Sequence, residues 1–281
     1  MTPTVLIAGA GRGVGRAAID AFLAEGWNVV AGVRNVPALT EELRDTPGVT
    51  VVHLDMVDRA SIAAAMDAAE RVAGGALGAL VLNAAHAVMG AAEDVDLDEA
   101  RLMFETNFFG HMAVVQAALP AMREAGAGAI VCVGSIGSHF TNPLLSVYHA
   151  SKAAMYSWAD GLRIEMRPFG VHVHTVEPGM ITSEFAKSTR YSGALVDGEG
   201  PYPPLLDQVR RAYTSWRERD GVSSETVARA VVGAATDPTS PFRVLIGDDA
   251  AAMNAAMRAH PDDAFTAWWF DYVGIRWPAD P

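Results

Sequence analysis

The 281-residue chain is half apolar, holds one cysteine and carries a formal net charge of −12. That length and composition suit an α/β domain with a large core and exclude a disordered chain. The acidic balance argues against nucleic acid as a partner and against anionic membranes, so an anionic cofactor must be held by local N–H groups and a few arginines.

The N-terminal Met1-Thr2-Pro3-Thr4 has no basic region followed by a long apolar stretch, so no signal peptide is expected. No apolar run approaches the roughly 18 residues of a membrane span, and a cytoplasmic protein is expected. Short β-rich runs at 5–8, 28–33, 49–54, 79–82, 129–133, 171–176 and 242–246 read as strands. They are continuous rather than alternating, as in strands buried on both faces. Helical patterns cover 14–25, 58–73, 96–124, 147–167 and 223–236, and Pro120 is expected to end or kink the third of these. The alternation predicts one α/β domain over 1–281: a doubly wound, seven-stranded parallel sheet with helices on both faces.

Residues 183–220 break the rhythm with glycines, Pro201, Pro203 and Pro204, and read as a substrate-loop insertion. Within it Phe185, Tyr191, Tyr202, Leu205 and Trp216 suggest an apolar, ring-accepting pocket. The aromatic tail at 260–281, with Phe265, Trp268, Trp269, Phe270 and Tyr272, reads either as a pocket wall or as a helix packed on the core. Cys132 reads as a buried small hydrophobe. The eight histidines show no zinc spacing, so no metal is expected.

Between the first strand and the first helix stands Gly9-Ala10-Gly11-Arg12-Gly13-Val14-Gly15. Glycines allow a tight turn and close approach to a diphosphate, and the helix beginning near Val14 aims its free N–H groups at those oxygens. This marks a Rossmann-type dinucleotide site. An acid ending the second strand would mark NAD; Val33 and Arg34 stand there instead. Arg34 and Arg12 together can grip a 2′-phosphate, which points to NADP(H).

Tyr148 and Lys152 lie four apart on a helix and share a face. A nearby ammonium lowers a phenol toward working pH, as an acid/base for an alcohol–carbonyl couple requires. Ser135 precedes Tyr148 by 13 residues at the end of the 129–133 strand, so the intervening loop can bring both hydroxyls to one point. His86, His139 and His149 lie nearby and read as ordinary pocket or surface residues rather than a general base.

The Gly9, Gly13, Gly15 spacing and the order Ser135, Tyr148, Lys152 resemble the short-chain dehydrogenase/reductase family. Parts of the chain look closest to its 17β-hydroxysteroid-dehydrogenase-like and carbonyl-reductase members. The resemblance implies that Asp55, beside Met56, contacts adenine and that Asn83-Ala84-Ala85 borders the cofactor. It implies that Asn107 positions a water in the proton relay, and that Pro178, Gly179, Ile181 and Thr182 hold the nicotinamide end. It also implies that Lys152 holds the nicotinamide ribose. The family usually has Asn-Ala-Gly where this chain has Asn83-Ala84-Ala85-His86, and a Cβ at 85 restricts positive φ.

The implied function is NADP(H)-dependent interconversion of an alcohol and a carbonyl on an apolar small molecule. The alternatives are a dehydratase or epimerase on this scaffold, or a catalytically silent NADP-binding regulator. A homo-oligomer, dimer or tetramer, is implied through helices 96–124 and 147–167, with Phe108, Phe109, Met112, Val115, Met155 and Trp158 as candidate contacts that fit an ordinary core as well.

Overall fold

The computed structural model describes residues 2–38, 43, 46–182, 189–195 and 197–276. Seven strands form one parallel sheet: β1 (Thr4–Ala8), β2 (Asn28–Val33), β3 (Val49–His53), β4 (Ala79–Leu82), β6 (Gly128–Val133), β7 (Val171–Pro178) and β11 (Arg243–Ile246). Their order is β3-β2-β1-β4-β6-β7-β11. Val5 of β1 pairs with Val29 of β2 on one side and Ala79 of β4 on the other. The expected continuous apolar runs follow from this placement, since all five residues of β1 are buried.

One face of the sheet is covered by α2 (Arg59–Ala73), α4 (Gly110–Ala125) and α5 (Ser146–Met166), through residues such as Met66, Val114, Met122 and Met155. The other carries α1 (Gly13–Ala24) and α7 (Ser224–Thr236), packed through Ile19, Phe22, Val227 and Val231. The chain winds outward from β1 to β3, then returns across β1 to β4. A crevice therefore opens at the carboxyl ends of β1 and β4, the switch point where α/β sheets bind ligands.

A third apolar cluster lies beyond that crevice. It joins α6 (Pro203–Asp220), α8 (Asp248–Ala259) and α9 (Asp262–Val273) through Leu206, Val209, Trp216, Met253, Phe265 and Trp269. The aromatic tail thus packs as a helix; its residues 277–281 lie outside the described residues.

Three expectations change. The 203–220 part of the supposed loop is an 18-residue helix. Pro203 and Pro204 start it, because the first helical turn needs no N–H donors. Its lead-in is β9 (Thr189–Tyr191), paired with β5 (Ala87–Met89). The 96–124 pattern divides into α3 (Leu97–Phe104), a π turn (Glu105–Phe109) and α4. Pro120 does not end α4, which runs to Ala125 and is capped by Gly126 in the left-handed region. Both Pro120 and Gln116 sit on the exposed face, where the freed carbonyl is solvated. Finally, Val115 and Met155 are buried inside the chain's own core and offer nothing to a partner, whereas Phe109 is exposed.

Candidate active site

The glycine turn is built by close backbone approach. Gly9 has φ +89°, and a Cβ there would come within 2.7 Å of the Ala84 backbone. A Cβ on Gly15 would collide with Gly9 O and stand 2.6 Å from Asn83 Nδ2. Asn83 Nδ2 donates to Gly9 O at 2.7 Å, tying the end of β4 to the turn. Arg12 occupies the N-cap of α1, and its side chain does not cap the first-turn N–H groups. That is the arrangement an anionic diphosphate fits.

A cavity of about 790 Å³ begins at this turn. Gly9, Gly11, Arg12, Gly13 and Val14 line it there, and Arg34 and Met56 are also on its wall. It continues past Asn83, Ala84 and Ala85 to Ser135, Tyr148 and Lys152, and along Pro178, Gly179 and Ile181. Four expected site residues lie off its wall. Gly15 packs behind the turn. The Asp55 carboxylate accepts from Val57 N at 3.2 Å, as a turn residue ahead of α2. Thr182 Oγ1 donates to Val222 O at 3.0 Å, bracing the short ladder of β8 (Ile181–Thr182) and β10 (Val222–Ser223). Asn107 is fully buried behind the cavity.

Ser135 caps a short 3-10 turn, its Oγ accepting from Gly137 N at 3.1 Å. Its hydroxyl proton therefore points elsewhere. Lys152 is buried, and its Nζ donates to Val133 O at 2.9 Å. Burial lowers the Lys152 pKa to about 8. Tyr148 departs from expectation: burial raises its phenol above the ordinary value. The ammonium expected to lower it is docked on the β6 carbonyl instead.

Asn107, on the π turn, accepts from His86 N at 3.1 Å and donates to His86 O at 2.9 Å and to Ser151 Oγ at 3.1 Å. Ser151 Oγ in turn donates to Tyr148 O at 2.7 Å. The Ala85 substitution carries no backbone strain, since Leu144 is the sole non-glycine residue at positive φ among the described residues. His86 lines the cavity. Burial, then Arg190 and Arg34, lower its pKa.

Sequence reasoning missed two anchors. Asp249, buried at the start of α8, accepts from Met180 N at 2.7 Å and Trp216 Nε1 at 2.9 Å through Oδ2, and from Ala250 N at 2.8 Å through Oδ1. It fixes the Pro178–Ile181 turn to α6; the only sequence signal is Gly247-Asp248-Asp249 after the last strand. Asn142, also buried, accepts from Trp269 Nε1 at 2.6 Å and meets Tyr213 OH at 2.6 Å and His149 Nε2 at 3.3 Å. Immediately before Pro178, Glu177 is fully buried between His139 Nε2 at 2.9 Å and Arg243, whose Nη2 lies at 2.9 Å. Burial alone would raise Glu177, but those hydrogen bonds outweigh it and hold it low.

Of the expected substrate residues, Tyr191 and Trp216 line the cavity, and Phe140, Leu145 and Tyr213 join them. Tyr202 and Leu205 do not; the Tyr202 hydroxyl donates to Glu93 Oε1 at 2.6 Å. Phe185 lies outside the described residues.

The sequence model of the short chain dehydrogenase family matches residues 3–192. The chain belongs to that family. This short-chain dehydrogenase is 35% identical over 231 residues to a short-chain dehydrogenase of Penicillium ochrochloron, covering 82% of this chain and 83% of that one. The crystal structure of a short-chain dehydrogenase from Streptomyces avermitilis superimposes with a TM-score of 0.80 at 29% identity, over 99% of this chain and 100% of that one. One from Burkholderia cenocepacia J2315, in complex with NADP, does so with a TM-score of 0.74 at 25% identity, over 99% and 98%. The short-chain dehydrogenase is therefore an oxidoreductase on a Rossmann-type sheet. Among its described residues, no helix is long and apolar enough to cross a membrane and no cluster of three acidic, His or Cys side chains is placed to hold a metal ion.

Proposed function

We propose that this short-chain dehydrogenase interconverts an alcohol and a carbonyl on an apolar, ring-bearing small molecule, with NADP(H) as its cofactor. One observation carries the reading: Ser135, Tyr148 and Lys152 line the same cavity that opens at the glycine turn. Arg12 and Arg34 border its adenosine end, where two guanidiniums suit a 2′-phosphate. The cavity falls within the roughly 300–1,000 Å³ usual for ligand sites, and Phe140, Leu145, Val209 and Trp216 give it apolar surface.

Gly9–Val14, Arg12 and the Pro178–Ile181 turn would hold the dinucleotide, which would supply or accept the hydride when bound. In reduction, the Tyr148 hydroxyl gives its proton to the carbonyl oxygen as the new C–H bond forms. The Ser135 hydroxyl, its lone pair engaged by Gly137 N, donates to the same oxygen and stabilises charge developing there. Lys152 is charged at neutral pH, and its ammonium stabilises the phenolate by turning from Val133 O toward Tyr148 as the negative charge forms there. Asn107 holds the Ala84–His86 segment and, through Ser151, the Tyr148 end of α5. In oxidation the same groups act in reverse. Exposed Phe109 and Leu102 support assembly into a homo-oligomer.

The test is titration of the purified protein with NADPH and NADH, then turnover of ring-bearing ketones. NADPH is expected to bind more tightly, and Tyr148→Phe to keep that binding while losing about 10²–10⁴-fold in turnover. Preference for NADH would overturn the arginine argument; binding of neither would overturn the whole reading.

A further inference from the structure

Asn142 joins the tail helix, the α6 helix and the catalytic helix, and its hydrogen-bond polarity can be worked out atom by atom. Trp269 Nε1 is only a donor, so the Asn142 atom 2.6 Å from it is the carbonyl oxygen. The Asn142 amide nitrogen therefore faces Tyr213 OH and His149 Nε2. A second route reaches the same assignment. Gly137 O can only accept, so His149 Nδ1, 2.7 Å away, carries a proton. Burial keeps that ring neutral, its pKa lowered to about 4. Its Nε2 is then an acceptor and requires a donor from Asn142. Both amide protons are thereby spent, one on His149 and one on the Tyr213 oxygen.

Tyr213 consequently accepts from Asn142 and does not donate to it. Burial outweighs that hydrogen bond and, with nearby Tyr148, holds the Tyr213 phenol above its ordinary range, so the hydroxyl keeps its proton. No other described residue takes that proton, and Tyr213 lines the cavity together with Tyr148.

We infer that Tyr213 is a specificity residue whose hydroxyl donates to a second acceptor oxygen of the substrate, so that the preferred substrates are ring-bearing carbonyls with another carbonyl, hydroxyl or ether oxygen. This deepens the proposed reaction and rests on it. The Tyr213 donor stands among apolar Phe140, Val209 and Trp216, with Arg210, Thr214 and Arg217 also on the cavity wall. A site built to hydrogen-bond an oxygen discriminates against analogues without it more strongly than an apolar wall discriminates by size.

The experiment compares a cyclic diketone with the monoketone on the same ring. The wild-type protein is expected to favour the diketone at least about 10-fold in kcat/KM, and Tyr213→Phe, which keeps the ring and its packing, to reduce that ratio by about 10-fold or more. Asn142→Asp, which turns the Tyr213 hydroxyl toward the new carboxylate, is expected to reduce it as well. Calorimetric binding of the same pair to the protein loaded with NADP+, which has no hydride to give, reads the donor independently of hydride transfer, so failure of the reaction and failure of the donor are told apart. Absence of a diketone preference in binding, or an unchanged ratio in Tyr213→Phe, overturns the inference.

Discussion

Asn107 and His86 are joined through both polar atoms of one side chain: Oδ1 takes the His86 N–H and Nδ2 gives to the His86 carbonyl. The π turn makes this grip, since it widens the helix at the point where Asn107 must reach the β4–β5 loop. Asn107→Ala strands two part-buried backbone groups. A loss of about 2–4 kcal/mol in stability is expected from urea unfolding, together with a fall in kcat. Asn107→Asp is expected to do no better, because an oxygen would then face the His86 carbonyl. Stability within a few tenths of the wild type would mean that the Ala84–His86 segment is held by other contacts.

Asp249 connects three elements through one carboxylate, and no cation neutralises it in the contacts it makes. Burial accordingly raises its pKa, while its three donors favour the charged form. Asp249→Ala leaves Met180 N, Trp216 Nε1 and Ala250 N unsatisfied and opens the Pro178–Ile181 turn. A cost of about 2–4 kcal/mol is expected, with a raised KM for NADPH. An unchanged KM in a variant that still folds would show that the turn holds its shape without this anchor.

The strands and the catalytic trio were legible because their signals are local. A buried parallel strand is a continuous apolar run, and Ser135, Tyr148 and Lys152 stand at fixed distances from such runs. Asn142 carries no local signal, and Asp249 only the Gly247-Asp248-Asp249 run after the last strand. Their partners lie far along the chain: Trp269 is 127 residues from Asn142, and Trp216 is 33 from Asp249. The α6 helix was hidden by Pro203 and Pro204, residues that mark loops in mid-chain and helix starts at N1. The lowered Tyr148 pKa was expected from the four-residue spacing to Lys152 alone. Spacing fixes the shared face but not the direction of a flexible ammonium, which here turns to Val133.

Lys152 sets a limit on the pH range of reduction. Its pKa lies at about 8, below the ordinary 10.5, so the charge that stabilises the Tyr148 phenolate is lost as pH rises through about 8. The kcat/KM for carbonyl reduction is expected to be level near neutrality and to fall above about pH 8. Lys152→Arg, which stays charged, is expected to act more slowly but to lose that alkaline limb. An alkaline limb at the same pH in the arginine variant would assign it to another group.

Acid is expected to destabilise the fold through its buried histidines. The His111 pKa is lowered to about 3: burial, with the Lys152 charge second, outweighs the backbone of Asn107 and Ala84. Burial lowers His149 to about 4. Both values lie below the ordinary 6.5, so between about pH 6.5 and 4 the unfolded chain binds protons that the folded chain refuses. Stability is then fully present above pH 6.5 and falls as pH drops through that window. At pH 5 each histidine should account for a loss of about 2 kcal/mol relative to pH 7. Urea midpoints for the wild type and His111→Leu at the two pH values separate this from the titration of carboxylates. The variant is expected to lose about 2 kcal/mol less than the wild type between pH 7 and 5, whatever its absolute stability. Equal losses in the two proteins would show that His111 takes up its proton in the folded state.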